Sequence, residues 1–126
     1  MQNNYAEWFE KANDDELSIK ALIKEDGPSS TICFLAQQMA EKYLKGFLVF
    51  HRKSFPKVHD LLELETLLLK ITPSIKNIHT DLNFLNRYYI ETRYPGDFPE
   101  ITLDESKKAS EAAIRIKQFV FEQIKS

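Results

Sequence analysis

Glycine, proline and cysteine are all scarce in this chain of 126 residues, with three, five and one of each. So few turn formers exclude a β-sandwich or barrel, which needs a turn about every 8–12 residues, and leave long helices with few joints. The one cysteine, Cys33, forms no internal disulfide, and its place in an apolar helical run reads as a small buried hydrophobe. No apolar run approaches the roughly 18 residues of a membrane span. The opening MQNNYAEWFE lacks the basic and apolar regions of a signal peptide. A cytoplasmic soluble protein with no membrane contact is expected. Walker and Rossmann phosphate loops are excluded by the same shortage of glycine. His51, His59 and His79 lack the three-to-five spacing of a zinc-binding helix, and Cys33 is remote from them, so neither a metal nor a cofactor is expected. No Ser-His-Asp or Cys-His triad can be assembled from these residues.

What is present is an ordinary globular composition, 43% apolar and 29% charged, of a length that suits one domain over residues 1–126. Net charge is −2, which excludes a generally polycationic nucleic-acid binder. The charge is unevenly placed. Residues 1–26 hold seven acids and three lysines, whereas 42–59 hold Lys42, Lys45, Arg52, Lys53 and Lys57 with no acid. Asymmetry of this kind marks either a partner surface or a solvated end of a bundle.

Apolar spacing predicts a first helix over 4–25, capped by Asn3 or Asn4 and ended by Gly27-Pro28, with its acids favoured by the helix dipole. A second helix over 30–51, capped by Ser29 or Ser30, is apolar around most of its circumference. Its polar residues Gln38, Glu41, Lys42 and Lys45 form one narrow stripe, read by default as solvated. A short leucine-rich helix over about 58–71 follows the SFPK turn. After Thr72-Pro73 comes a helix over about 74–92, and Thr102 with Glu105 gives a capping-box start to the last, about 103–125. Ile114 and Phe121 lie off the inward stripe of that last helix and suggest a subunit contact. The fold class is an all-α, up-and-down four-helix bundle with an extra short helix, five helices in all.

The residues with the most chemistry are Gln38, Lys42 and Lys45 on helix two, Lys57, His59 and Asp60 at the start of helix three, and Tyr89, Arg93, Tyr94 and Asp97 after helix four. In an up-down bundle the end of helix two and the starts of helices three and five share one pole. A pocket there offers cations for phosphate, aromatic faces for a base and a titratable histidine. The same residues also read as a network of caps and ion pairs, with Asp60 as an early-turn acid and Arg93 paired to Asp97.

Four stretches, in register over nearly the whole chain, resemble the HEPN family. They are WFEKANDDELSIKAL with Trp8, Ala12, Asp15 and Ala21; FLAQQMAEKYLKGFL with Gln38, Ala40, Glu41, Lys42, Leu44, Lys45 and Leu48; KVHDLLEL with Lys57, His59, Asp60 and Leu61; and YYIETRYPGD with Tyr89, Arg93, Tyr94, Pro95 and Asp97. The resemblance implies a dimeric five-helix bundle, partnership with a minimal nucleotidyltransferase, often as a toxin–antitoxin pair, and a link to nucleotides or RNA. Some HEPN branches are metal-independent ribonucleases with an Arg-x4–6-His motif. Arg93 has Phe98, Pro99 and Glu100 at that distance, not histidine, and Arg52 with His59 matches only the bare spacing, across the Pro56 turn. Three roles follow: a phosphate-binding nucleotidyltransferase partner, a ribonuclease using His59 with Arg52 or Arg93, and a purely structural partner bundle.

Overall fold

The structure is a computed structural model that describes residues 4–89 and 100–125. Among these residues there are helices and no strands. α1 spans Tyr5–Lys24, and the Asn4 side chain caps it by accepting from the Ala6 N–H at 2.9 Å. The helix does not end at a left-handed glycine. Asp26 takes the positive φ of 56°, and the Gly27 N–H reaches back to the Leu22 carbonyl at 2.7 Å. Gly27 is needed one position later, because a Cβ there would lie 2.6 Å from Leu22 Cδ2.

α2 spans Ser29–Phe50 and starts without the expected serine cap. Pro28 occupies the capping position in an extended conformation, so Ser29 already lies in the first turn and neither serine hydroxyl is placed to cap. The helix ends in a second left-handed turn, at Arg52 (φ 59°), with the Lys53 N–H on the Leu48 carbonyl at 2.9 Å. α2 is the centre of the molecule: Ile32, Ala36, Met39, Ala40, Tyr43, Leu44, Phe47 and Leu48 are all buried. α1 packs antiparallel against it, with Trp8 and Phe9 beside Gly46 and Asp15 beside Lys42. That approach requires the glycine, since a Cβ on residue 46 would meet Phe9 Cε1 at 2.6 Å and Trp8 Cβ at 2.9 Å.

Residues 51–60 then run back along α2, so that Phe55 packs on Trp8 and His59 reaches Glu41. α3 (Leu61–Leu69) starts level with the middle of α2 and runs parallel to it, its far end meeting Leu48 through Leu67 and Ile71. The expectation that α2's end and the starts of the third and last helices share one pole is therefore corrected. The long loop, not a tight turn, makes the return. The expected single helix over 74–92 is also divided. A 3₁₀ segment at Pro73–Ile78 leads into α4 (His79–Leu85), and a 3₁₀ turn at Asn86–Tyr88 follows. Pro73 suits the first turn of the 3₁₀ segment, whose tighter pitch still buries Ile75 and Ile78.

α5 (Leu103–Lys125) runs antiparallel to α4, joined by a bidentate Arg115–Asp81 pair at 2.9 and 3.0 Å. Its start has half the expected capping box. Thr102 Oγ1 accepts from the Glu105 N–H at 3.0 Å, but the Glu105 carboxylate accepts from the Tyr88 hydroxyl instead of reaching back to the cap. Ala109, Ala112, Ala113, Ile116 and Val120 are buried as their spacing requires. Phe121 lies against Phe9 and Tyr43 within the chain. α1, α2, α4 with its 3₁₀ flanks, and α5 are the four arms of an up-and-down bundle, and α3 is the extra short helix.

Candidate functional site

Gln37 and Glu41 stand one turn apart on α2, facing the returning loop. Gln37 is fully buried, and Glu41 and Lys45 are nearly so. Buried polar groups of this kind require partners, and each finds them. Lys45 Nζ donates to Glu41 Oε2 at 2.7 Å and sits 5.8 Å from the Trp8 ring centre and 5.6 Å from that of Phe55. A desolvated ammonium is thus held by a carboxylate on one side and two aromatic faces on the other. Gln37 Nε2 donates to the His59 carbonyl at 2.9 Å, and Gln38 Nε2 donates to Gln37 Oε1 at 2.7 Å. The expected solvated stripe on helix two is instead the inner wall of this junction, with only Gln38 and Lys42 partly open to solvent.

His59 is the exposed end of the same network. Its Nδ1 lies 3.1 and 3.2 Å from the two Glu41 oxygens, which fixes Nδ1–H as the donor and leaves Nε2 without a partner among the described residues. The imidazole is 62% exposed although the carboxylate beneath it is 7% exposed. Tyr89 stacks near-parallel on it, with ring centres 6.4 Å apart and an interplanar angle of 19°, and is itself 41% exposed.

Asp60 caps α3: its Oδ1 accepts from the Leu62 N–H at 2.9 Å, the Glu63 N–H at 3.3 Å and Asn86 Nδ2 at 3.0 Å. Asn86 Oδ1 accepts in turn from the Leu61 N–H at 2.8 Å, tying the end of α4 to the start of α3. Lys42 bonds Asp15 at 2.7 Å. Burial raises the Asp15 carboxyl above its ordinary value and outweighs the pull of Lys42. Lys57 is exposed on the loop. Arg93, Tyr94 and Asp97 lie outside the described residues, as does the expected Arg93–Asp97 pairing. Arg52 sits on the left-handed turn past α2, whereas His59 is held at Glu41. About 13 Å of helix separates Glu41 from Phe50, so the bare Arg-x6-His spacing does not fold into a compact pair.

Among the described residues, no group of three or more histidine, cysteine, aspartate or glutamate side chains can hold a metal ion, and no helix is long and apolar enough to cross a membrane. The HEPN-domain family model matches residues 5–124. The chain belongs to the HEPN family. A crystal structure of TT1696 from Thermus thermophilus is similar to this HEPN chain with a TM-score of 0.81 and 28% identity, over 96% of this chain and 98% of that one. ST0689, described as an archaeal HEPN homologue, is similar with a TM-score of 0.78 and 27% identity, over 98% and 99%. No curated protein matches the chain.

Sequence reasoning about this HEPN site missed Gln37 as a member and placed Glu41 on a solvated stripe. Glu41 lies three residues from Gln38 and four from Lys45, and Gln37 four before Glu41, so the stripe was visible, but its burial depends on where the loop 51–60 returns, which no helical period reports. The sequence singled out His59 and gave no sign that His79 is anchored in the same way. His79, at the start of α4, makes a similar pair, Nδ1 to the buried Glu65 on α3 at 2.8 and 3.0 Å.

Proposed function

We propose that this HEPN chain binds a nucleotide or the phosphate-bearing strand of an RNA on the His59–Tyr89 face and acts beside a minimal nucleotidyltransferase chain, as in a toxin–antitoxin pair. The observation that carries the reading is the exposed imidazole, anchored through Nδ1 on a buried carboxylate and stacked on an exposed tyrosine. Two flat rings held in one orientation offer a base a stacking surface whose ordering cost has already been met in the fold. Lys57 supplies an exposed cation on the same loop, and Arg93, Tyr94 and Asp97 follow Tyr89 closely in the chain. Lys42 and Lys45 contribute mainly by shaping this face, because each already neutralises an acid. Binding of AMP and of a short single-stranded RNA to the wild type and to His59→Ala tests the reading. Loss of a stacked base is worth ~1–3 kcal/mol, so the variant binds about tenfold more weakly while remaining folded. Equal affinities refute it.

A second reading is favoured by the same pair. An imidazole with one nitrogen on a carboxylate and the other free has the form of a general base. It makes the chain a metal-independent ribonuclease, with Arg93 stabilising the phosphorane and Arg52 set aside by its distance from His59. RNA cleavage without added metal that vanishes in His59→Ala supports this reading, and intact RNA refutes it.

A further inference from the structure

Arg52 and Lys53 lie just past the end of α2 and Lys70 just past the end of α3, on two clefts that share Lys53. A cleft of about 460 Å³ is lined by Val49, Arg52, Lys53 and Ser54. A smaller one of about 190 Å³ shares Lys53 and Ser54 and continues over Leu48, Leu67 and Ile71 to Lys70. Among the described residues, no acid lines either cleft. None of the three cations is in an ion pair among the described residues, in contrast to Lys42, Lys45, Arg115 and Lys117. The positive field here is felt nearby: burial first, and then the Lys53 ammonium, hold the His51 imidazole below its ordinary value.

Cations at helix C-termini also serve the helix dipoles, and α2, α3 and α5 all end at this pole, α5 through the Thr72–Gln123 hydrogen bond. Each terminus carries about −0.5 charge. Three full positive charges exceed that sum by about 1.5, and the Phe47, Leu48, Val49 and Leu68 carbonyls are already occupied by backbone N–H groups. The excess is left for an external anion.

We propose that this pole is a phosphomonoester-binding site, in which Arg52, Lys53 and Lys70 take the phosphate and Leu48, Leu67 and Ile71 take a flat or apolar body attached to it. The larger cleft lies within the ~300–1,000 Å³ range of small-ligand sites, and the Ser54 hydroxyl adds a neutral donor. This inference does not depend on the His59–Tyr89 reading, from which it is separated by most of the loop 51–60.

Titration with phenyl phosphate, inorganic phosphate and phenol, followed by NMR shifts of the residue 48–54 amides, tests it. Phenyl phosphate is expected to bind at least tenfold more tightly than either fragment. Lys53→Ala with Lys70→Ala should weaken it at least tenfold, and His59→Ala should leave it unchanged. Arg52→Gly, which keeps the left-handed turn, guards against loss by misfolding and should also weaken it. A 5′-phosphorylated trinucleotide compared with its 5′-hydroxyl form identifies the source: preference for the phosphorylated form assigns the site to a nucleic-acid end, and equal binding of the two, with phenyl phosphate still bound, assigns it to a free phosphoester. If phenyl phosphate does not bind, or binds equally well to the lysine variant, the proposal is overturned and the cations serve only the helix ends.

Discussion

Glu41 holds Lys45 on one side and His59 on the other, and the energetics of that arrangement are asymmetric. Removing one member of a buried ion pair leaves an uncompensated charge and costs about 3 kcal/mol or more, whereas replacing both members by apolar groups is close to neutral. Glu41→Gln should therefore lower the unfolding free energy by about 3 kcal/mol. Glu41→Leu combined with Lys45→Met should return it to within about 1 kcal/mol of wild type. Urea denaturation of both variants checks this, and equal destabilisation would show that the pair is not the source of the cost. Gly46 makes a second test at this scale. Gly46→Ala forces its methyl into Phe9 and the Trp8 Cβ and should cost about 2 kcal/mol by overpacking, despite alanine's better helix propensity. A stabilised Gly46→Ala would mean that α1 shifts away freely.

The helices differ in how far their sequences revealed them. α2 and α5 were legible almost to the residue, because a long apolar period has one consistent structural solution. The arm after Pro73 was legible as a helix but not as 3₁₀, α and 3₁₀ in succession, because Ile75, Ile78, Leu82 and Leu85 suit spacings of three and four equally. The return of residues 51–60 along α2 was not legible at all. A loop has no period, and the direction of this one follows from partners such as Trp8 for Phe55 and Gln37 for the His59 carbonyl, which are distant in sequence. The loop turns a stripe expected to be wet into a buried junction, so the types of the site residues could be read from the sequence, but their burial and pairing could not.

The whole molecule is closed by contacts between its ends. Glu16 on α1 accepts from Lys117 on α5 at 2.9 Å and pairs with Lys20 at 3.3 Å. Burial alone would raise the Glu16 carboxyl, but Lys117 and Lys20 together outweigh it, and the net shift is downward. A carboxyl lowered on folding adds stability that is present above its ordinary value of 4.5 and is lost as pH falls through the depressed one. Asp15, raised on folding, acts in the opposite sense. Glu16→Gln should thus be less stable than wild type at neutral pH, with the gap closing below pH 4.5, and urea midpoints across that range would show it. A gap independent of pH would remove the charge from the explanation. At this scale too, two histidines have like anchors, one just before α3 and one at the start of α4, and among the described residues only His59 of the two stacks on an exposed tyrosine. The most direct measurement is NMR of the two imidazoles during titration with AMP, with His79 as the internal control. The account predicts shifts in the His59 ring resonances with His79 unmoved; a silent His59, or equal shifts in both rings, would contradict it.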